Sequence, residues 1–173
     1  MQPDTAEYKK VLGFMESSNN YKAVNGIGAL GKYQFMPTTL NALKNKFGLT
    51  DWQNTNYFLN NPDLQEQYEN ALIVDSLSGI TNNELDKKIG LPVNGSMRFK
   101  GINTRITVYG LLGAIHLSGI GNVVKYFKTG YNPNDGFTSL TDYLAYFSQN
   151  VLPKTNINVI SLAIISFIVL YYL

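Results

Sequence analysis

Residues 15–37 read MESSNNYKAVNGIGALGKYQFMP, and their reading decides the fold. Just before them, Tyr8, Val11, Leu12 and Met15 recur at helical spacing, and Asp4 followed by Glu7 has the form of a capping box. The first helix therefore runs out at Glu16, one step off its apolar stripe. A loop rich in Asn, Ser and Gly follows, and then the glycine-framed GALGKYQFMP. Pro37 is suited to the first turn of a second helix, carrying Leu40, Leu43 and Phe47 and stopped by Gly48. The segment thus reads as helix, irregular loop, helix, with a lone carboxylate at the lip of the loop.

Working outward, Asn61-Pro62 opens a helix along PDLQEQYENALIVDSL. Thr81 and Glu84 form a second capping-box candidate, before LDKKIG. Residues 91–103 read as loop. A helix is expected from about Thr104 through RITVYGLLGAIHLSG, a short one ending at Gly130, and a last one over SLTDYLAYFSQNV. Gly110 and Gly113 most simply allow close helix packing. No long alternating strand pattern and no repeat is evident. The expected fold is mainly α, a lysozyme-like α+β arrangement with little sheet: one helical catalytic domain at 1–152, a linker at 153–156 and a C-terminal transmembrane helix at 157–173.

That last expectation rests on composition. From Ile157 to Leu173 the chain carries no charge, and about 17 residues of helix reach roughly 25 Å, near the lower limit for a bilayer core. Tyr171, Tyr172 and Lys154 have the character of interfacial anchors. The alternative is a buried core segment. The N-terminal MQPDTAEYKK has no apolar signal core. The localisation expected from this pattern is a membrane, held by a single C-terminal span.

The composition removes several chemistries. There is no cysteine, hence no thiolate nucleophile and no cysteine zinc site, and the single histidine, His116, argues against a multi-histidine metal centre. A net charge of +2 with scattered Lys and Arg does not indicate nucleic acid. No cofactor and no metal is expected, so chemistry must come from carboxylates, hydroxyls, amides and backbone groups. A carboxylic acid buried beside apolar and aromatic groups stays protonated to higher pH, which suits Glu16 to donating a proton. Gln34 offers donors and acceptors, and the tyrosines offer flat apolar faces to sugar rings. Asp51, Asp63, Asp75, Asp135 and Asp142 are better explained as turn, cap or surface charges.

Glu16-Ser17-Ser18, Gly28-Ala29-Leu30-Gly31 and Tyr33-Gln34-Phe35-Met36-Pro37, in this register, resemble the signature of lytic transglycosylases and goose-type lysozymes. AIHLSGIGNVVKYF, residues 114–127, is similar to that family's Ala-Tyr-Asn-Ala-Gly element, with Ile115 in place of Tyr and His116 in place of Asn. Tyr143 resembles the tyrosine of the family's last helix. Residues 41–103 carry no clear resemblance. The resemblance implies Glu16 as catalytic acid and then base, with Ser17, Ser18, Tyr33, Gln34, His116 and Tyr143 binding substrate. His116 has a second reading, as a polar residue satisfied by a backbone carbonyl. The implied substrate is the peptidoglycan glycan strand, cut between N-acetylmuramic acid and N-acetylglucosamine. Hydrolysis by the same Glu and a silent glycan-binding role stay open. With the terminal apolar segment, the resemblance extends to wall-degrading enzymes of phages with an internal membrane, implying lipid and other virion proteins as partners.

Overall fold

The computed structural model describes residues 5–151. Helix α1 (Thr5–Ser17) buries Tyr8 and Leu12, with Val11 and Met15 packed beside them, as the spacing predicts. Helix α2 (Pro37–Phe47) starts on its proline and ends at Gly48, which takes the left-handed conformation at φ 62°. A five-residue helix, α3 (Thr55–Leu59), is capped by the Asn54 side chain and was not legible in the sequence. Helix α4 (Pro62–Asn82) is capped by Asn61, whose side chain accepts from Leu64 N. Helices α5 (Val108–Ser118), α6 (Ile120–Thr129) and α7 (Leu140–Asn150) complete the set.

Three local expectations are corrected. Thr81 lies inside α4 and its hydroxyl donates back to Leu77 O, so it caps nothing; Glu84 sits at φ 56°, ahead of a 3-10 turn at Leu85–Lys88. The helix persists past Thr81 because Ile80 still buries against the core. Residues 91–103 are not all loop: β1 (Pro92–Asn94) pairs antiparallel with β2 (Asn103–Arg105), Val93 facing Thr104. That pairing absorbs Thr104 and Arg105, so α5 starts later, with Thr107 as its cap.

The architecture turns on α5. Its residues from Tyr109 to Ile115 are all buried, and a helix apolar all round belongs at the centre of a bundle. Gly110 and Gly113 bring it close to α7: a Cβ at 110 would strike Ser148 Oγ and Leu144 O, and one at 113 would strike the Phe147 ring. Tyr8 joins α1 to the same seam, its ring 5.5 Å from that of Phe147. The result is mainly helical, with one two-stranded hairpin packed on α7.

The expected transmembrane helix and membrane localisation are not supported. Among the described residues no helix is long and apolar enough to cross a membrane. Helix α4 has the length but carries Asp63, Glu66, Glu69 and Asp75, while apolar α5 covers only about 16 Å. The segment 157–173 lies outside the described residues. The setting in a virion membrane loses its footing with the span.

Candidate active site

Helix α1 ends where the carboxylate is needed. Ser18 and Asn19 both adopt left-handed φ, at 56° and 62°, and turn the chain sharply away after Glu16. Ser17 holds that turn: its hydroxyl donates to Lys32 O at 2.8 Å and accepts from Asn20 N at 3.0 Å. With a further contact to Gly13 O at 3.3 Å, all its bonds are internal, so Ser17 brackets the helix end against the loop, while Ser18 is exposed.

The loop itself is pinned from α4. Leu30 and Phe35 exchange two backbone hydrogen bonds of 2.9 Å, closing a tight turn in which Gly31 has φ 74° and Gln34 has φ 51°. A Cβ at position 31 would overlap the Gln65 carboxamide. Gln65, fully buried, accepts from Lys32 N and donates to Tyr21 O and Phe58 O, all at 2.9 Å. The close approach that Gly31 permits is therefore to Gln65.

Glu16, in the last turn of α1, meets α7 through Tyr143. Tyr143 donates its phenolic hydrogen to Glu16 Oε1 at 2.6 Å, and the Glu16 side chain keeps 15% of its surface exposed. Burial, then the Glu16 charge and this hydrogen bond, push the Tyr143 phenol well above its ordinary pKa, so it remains a donor. On the inner side, His116 Nε2 stands 3.9 Å from Glu16 Oε1 and donates to Tyr33 O at 3.0 Å. Burial lowers the His116 pKa, outweighing the Glu16 charge and the Tyr33 carbonyl, which act the other way. The imidazole is therefore neutral, and its approach to Glu16 is not an ion pair.

Beneath lie two carboxyls that sequence reading missed. Glu66 Oε1 accepts from Tyr21 and Tyr33 hydroxyls at 2.7 Å and from Lys32 at 2.9 Å, while Oε2 pairs with Lys9 at 3.0 Å. Burial raises its pKa, but the bonds from Lys32, Tyr33, Tyr21 and Lys9 win and hold it at about 2. Glu69, one turn on, is fully buried, and neither of its oxygens has a hydrogen-bond partner. Burial, then the charge of Glu66, drive its pKa well up; Glu16 adds to this, and Lys9 and Lys32 oppose it. The structure shows the register that the sequence did not reveal. Gln65, Glu69 and Ser76 form a polar stripe on the inner face of α4, flush with Leu64, Tyr68 and Ile73.

The structure brings Glu16, Tyr143 and His116 together and separates the others. Tyr33 is buried with its hydroxyl on Glu66, so its ring offers no face to a ligand. His116 matches the reading in which a backbone carbonyl satisfies it, its side chain 8% exposed. Gln34 is partly exposed; its amide nitrogen donates to Gly31 O at 2.8 Å. Asp142, read from the sequence as a turn, cap or surface charge, forms a capping box with Ser139 and is buried, accepting in addition from the backbone N–H groups of Ser96, Met97, Arg98 and Phe99. Beside α7 a depression of about 700 Å³ is lined by Met97, Arg98, Gly136 and Phe137. Neither Tyr143 nor Glu16 lines this depression. Among the described residues no three ligating side chains converge to hold a metal ion. No family model matches the chain, and no curated protein matches it.

Proposed function

We propose that this protein cleaves the β-1,4 bond between N-acetylmuramic acid and N-acetylglucosamine in peptidoglycan, as a lytic transglycosylase with Glu16 as its single acid and base. The observation that carries this reading is the 2.6 Å bond from Tyr143 to Glu16, a carboxyl clamped on one oxygen and only partly open to water. A group placed so can meet a glycosidic oxygen without being free to turn away.

In this reading Glu16 gives its proton to the departing oxygen of N-acetylglucosamine as the bond to the anomeric carbon breaks. The acetamido oxygen of the muramyl residue bonds to that carbon and takes up its positive charge. The Glu16 carboxylate then accepts the proton of the C6 hydroxyl, whose oxygen displaces the acetamido group and leaves a 1,6-anhydro ring. The proton inventory closes on Glu16 and no water is consumed. Tyr143 orients the carboxyl in both steps.

The neighbouring carboxyls favour a one-carboxylate scheme. Enzymes with two need the second open to the substrate. Glu66 is committed to four donors, and Glu69 is buried behind the imidazole. The test is digestion of purified peptidoglycan by the wild type and Glu16→Gln, with mass analysis of the products. Anhydro-muropeptides from the wild type alone are expected. Products heavier by one water would make the enzyme a hydrolase, and equal release by both proteins would remove Glu16 from the chemistry.

A further inference from the structure

The buried side-chain atoms without a hydrogen-bond partner, among the described residues, are Glu69 Oε1, Glu69 Oε2 and His116 Nδ1. Two of them face each other, His116 Nδ1 and Glu69 Oε2 at 3.9 Å, and the third is the other oxygen of the same carboxyl. Buried polar groups are rarely left unpaired, and three at one place require an explanation.

The opposite edge of the imidazole supplies it. A carbonyl oxygen only accepts, so the 3.0 Å contact of Nε2 with Tyr33 O requires the proton on Nε2. In a neutral ring Nδ1 is then a bare acceptor and needs a donor. The group facing it is a carboxyl, which donates only when it holds its proton. We infer that Glu69 is a positioning residue of the Glu16 site, a carboxylic acid that donates to His116 Nδ1 and so fixes the ring whose other nitrogen stands between Tyr33 O and Glu16.

The surroundings agree from every side. On α1, Tyr8 and Glu16 face Glu69 and Lys9 is paired with Glu66. From the loop, Lys32 and the Tyr33 hydroxyl are likewise bonded to Glu66. On α4 itself the ionised Glu66 lies one turn back, and burial together with the Glu66 and Glu16 charges favours the protonated Glu69. The 3.9 Å separation exceeds a direct N···O bond by about 1 Å, so the inferred bond requires a small rotation of the Glu69 side chain. The consequence for chemistry rests on the proposed role of Glu16. A neutral imidazole adds no cation beside the acid, and a positive charge there would favour carboxylate over carboxylic acid.

Since the chain has one histidine, histidine-selective ¹⁵N labelling of the full chain gives a single pair of ring nitrogens. The expected spectrum has Nε2 protonated and Nδ1 bare at neutral pH, with imidazolium appearing only at lower pH than for an ordinary histidine. Glu69→Gln keeps a donor and should leave that spectrum and the cleavage rate nearly unchanged. Glu69→Leu removes the donor; its Nδ1 resonance should shift, and kcat should fall about tenfold or more with KM little altered. A protonated Nδ1 or an imidazolium in the wild type would overturn the inference, as would identical spectra for the Gln and Leu variants. If the Leu variant does not fold, the wild-type tautomer and the Gln spectrum decide. Loss of cleavage in no Glu16 variant would strike the proposed reaction while leaving the tautomer result intact.

Discussion

The hydroxyl of Tyr143 on α7 donates to Glu16 Oε1 on α1 at 2.6 Å, joining residues 127 positions apart. One helix supplies the carboxyl and another, near the opposite end of the described chain, sets its direction. Tyr143→Phe removes the donor and keeps the ring, which packs 5.6 Å from Phe147. A hydrogen bond to a charged group contributes about 1.5–3 kcal/mol, so kcat should drop roughly 10–100-fold. Thermal unfolding should change little. An unchanged kcat would mean that the hydroxyl does not orient the acid.

Glu66 predicts a pH dependence of stability. Its folded pKa of about 2 lies below the ordinary value of 4.5, so the folded state binds fewer protons there than the unfolded one. Its contribution is fully present above 4.5 and is lost as pH falls through 2. Glu66→Gln should be less stable than the wild type at pH 7, by about 2 kcal/mol after allowance for partial exposure. The gap should close between pH 4.5 and 2 in urea titrations. A gap independent of pH would assign the effect to packing.

Gly31 and Gln65 should behave as a pair. Gly31→Ala places a methyl group at φ 74° and into the Gln65 carboxamide, with an expected cost of about 2–3 kcal/mol. Gln65→Ala opens space but leaves Lys32 N without its acceptor. The double variant should be less damaged than the sum of the two, by about 1 kcal/mol in a double-mutant cycle. Simple additivity would show that the loop and α4 are not in the contact described.

Asp142 anchors the segment beside the hairpin. It receives backbone N–H groups from Ser96, Met97, Arg98 and Phe99 and both N–H and hydroxyl from Ser139. These donors hold its pKa below the ordinary value against the opposing effect of burial. Asp142→Asn turns an amide toward converging donors, for an expected loss of about 3 kcal/mol at pH 7. Protease cutting near Arg98 should accelerate before global unfolding does. Equal cutting rates in both proteins would refute this anchoring.

The sequence displayed those features whose cause is local. Pro37, Gly48, Asn61-Pro62 and Gly130 punctuate helices through backbone chemistry alone, and each falls at the expected helix end. Gly110 and Gly113 were legible for the same reason: a missing Cβ implies a close neighbour. The β1–β2 hairpin was not, since three-residue strands such as Pro92–Asn94 are too short for alternation to register. Of the residues singled out in the sequence, Glu16 and Tyr143 lie in contact, 2.6 Å apart. Tyr33 was not, because an aromatic ring in a loop reads as a sugar platform until the partner of its hydroxyl, Glu66, is seen. Glu69 escaped because polarity along a helix does not reveal which carboxylate faces inward.

The α7 cap also has a mechanical side. Asp142, which ties down residues 96–99, and Tyr143, which aims Glu16, are consecutive on one rigid helix. The rim of the depression at Met97 and Arg98 and the orientation of the acid thus ride on a common axle. Loosening of residues 96–99 and loss of the Tyr143–Glu16 bond are therefore expected to travel together, since both contacts are fastened to the same turn of α7.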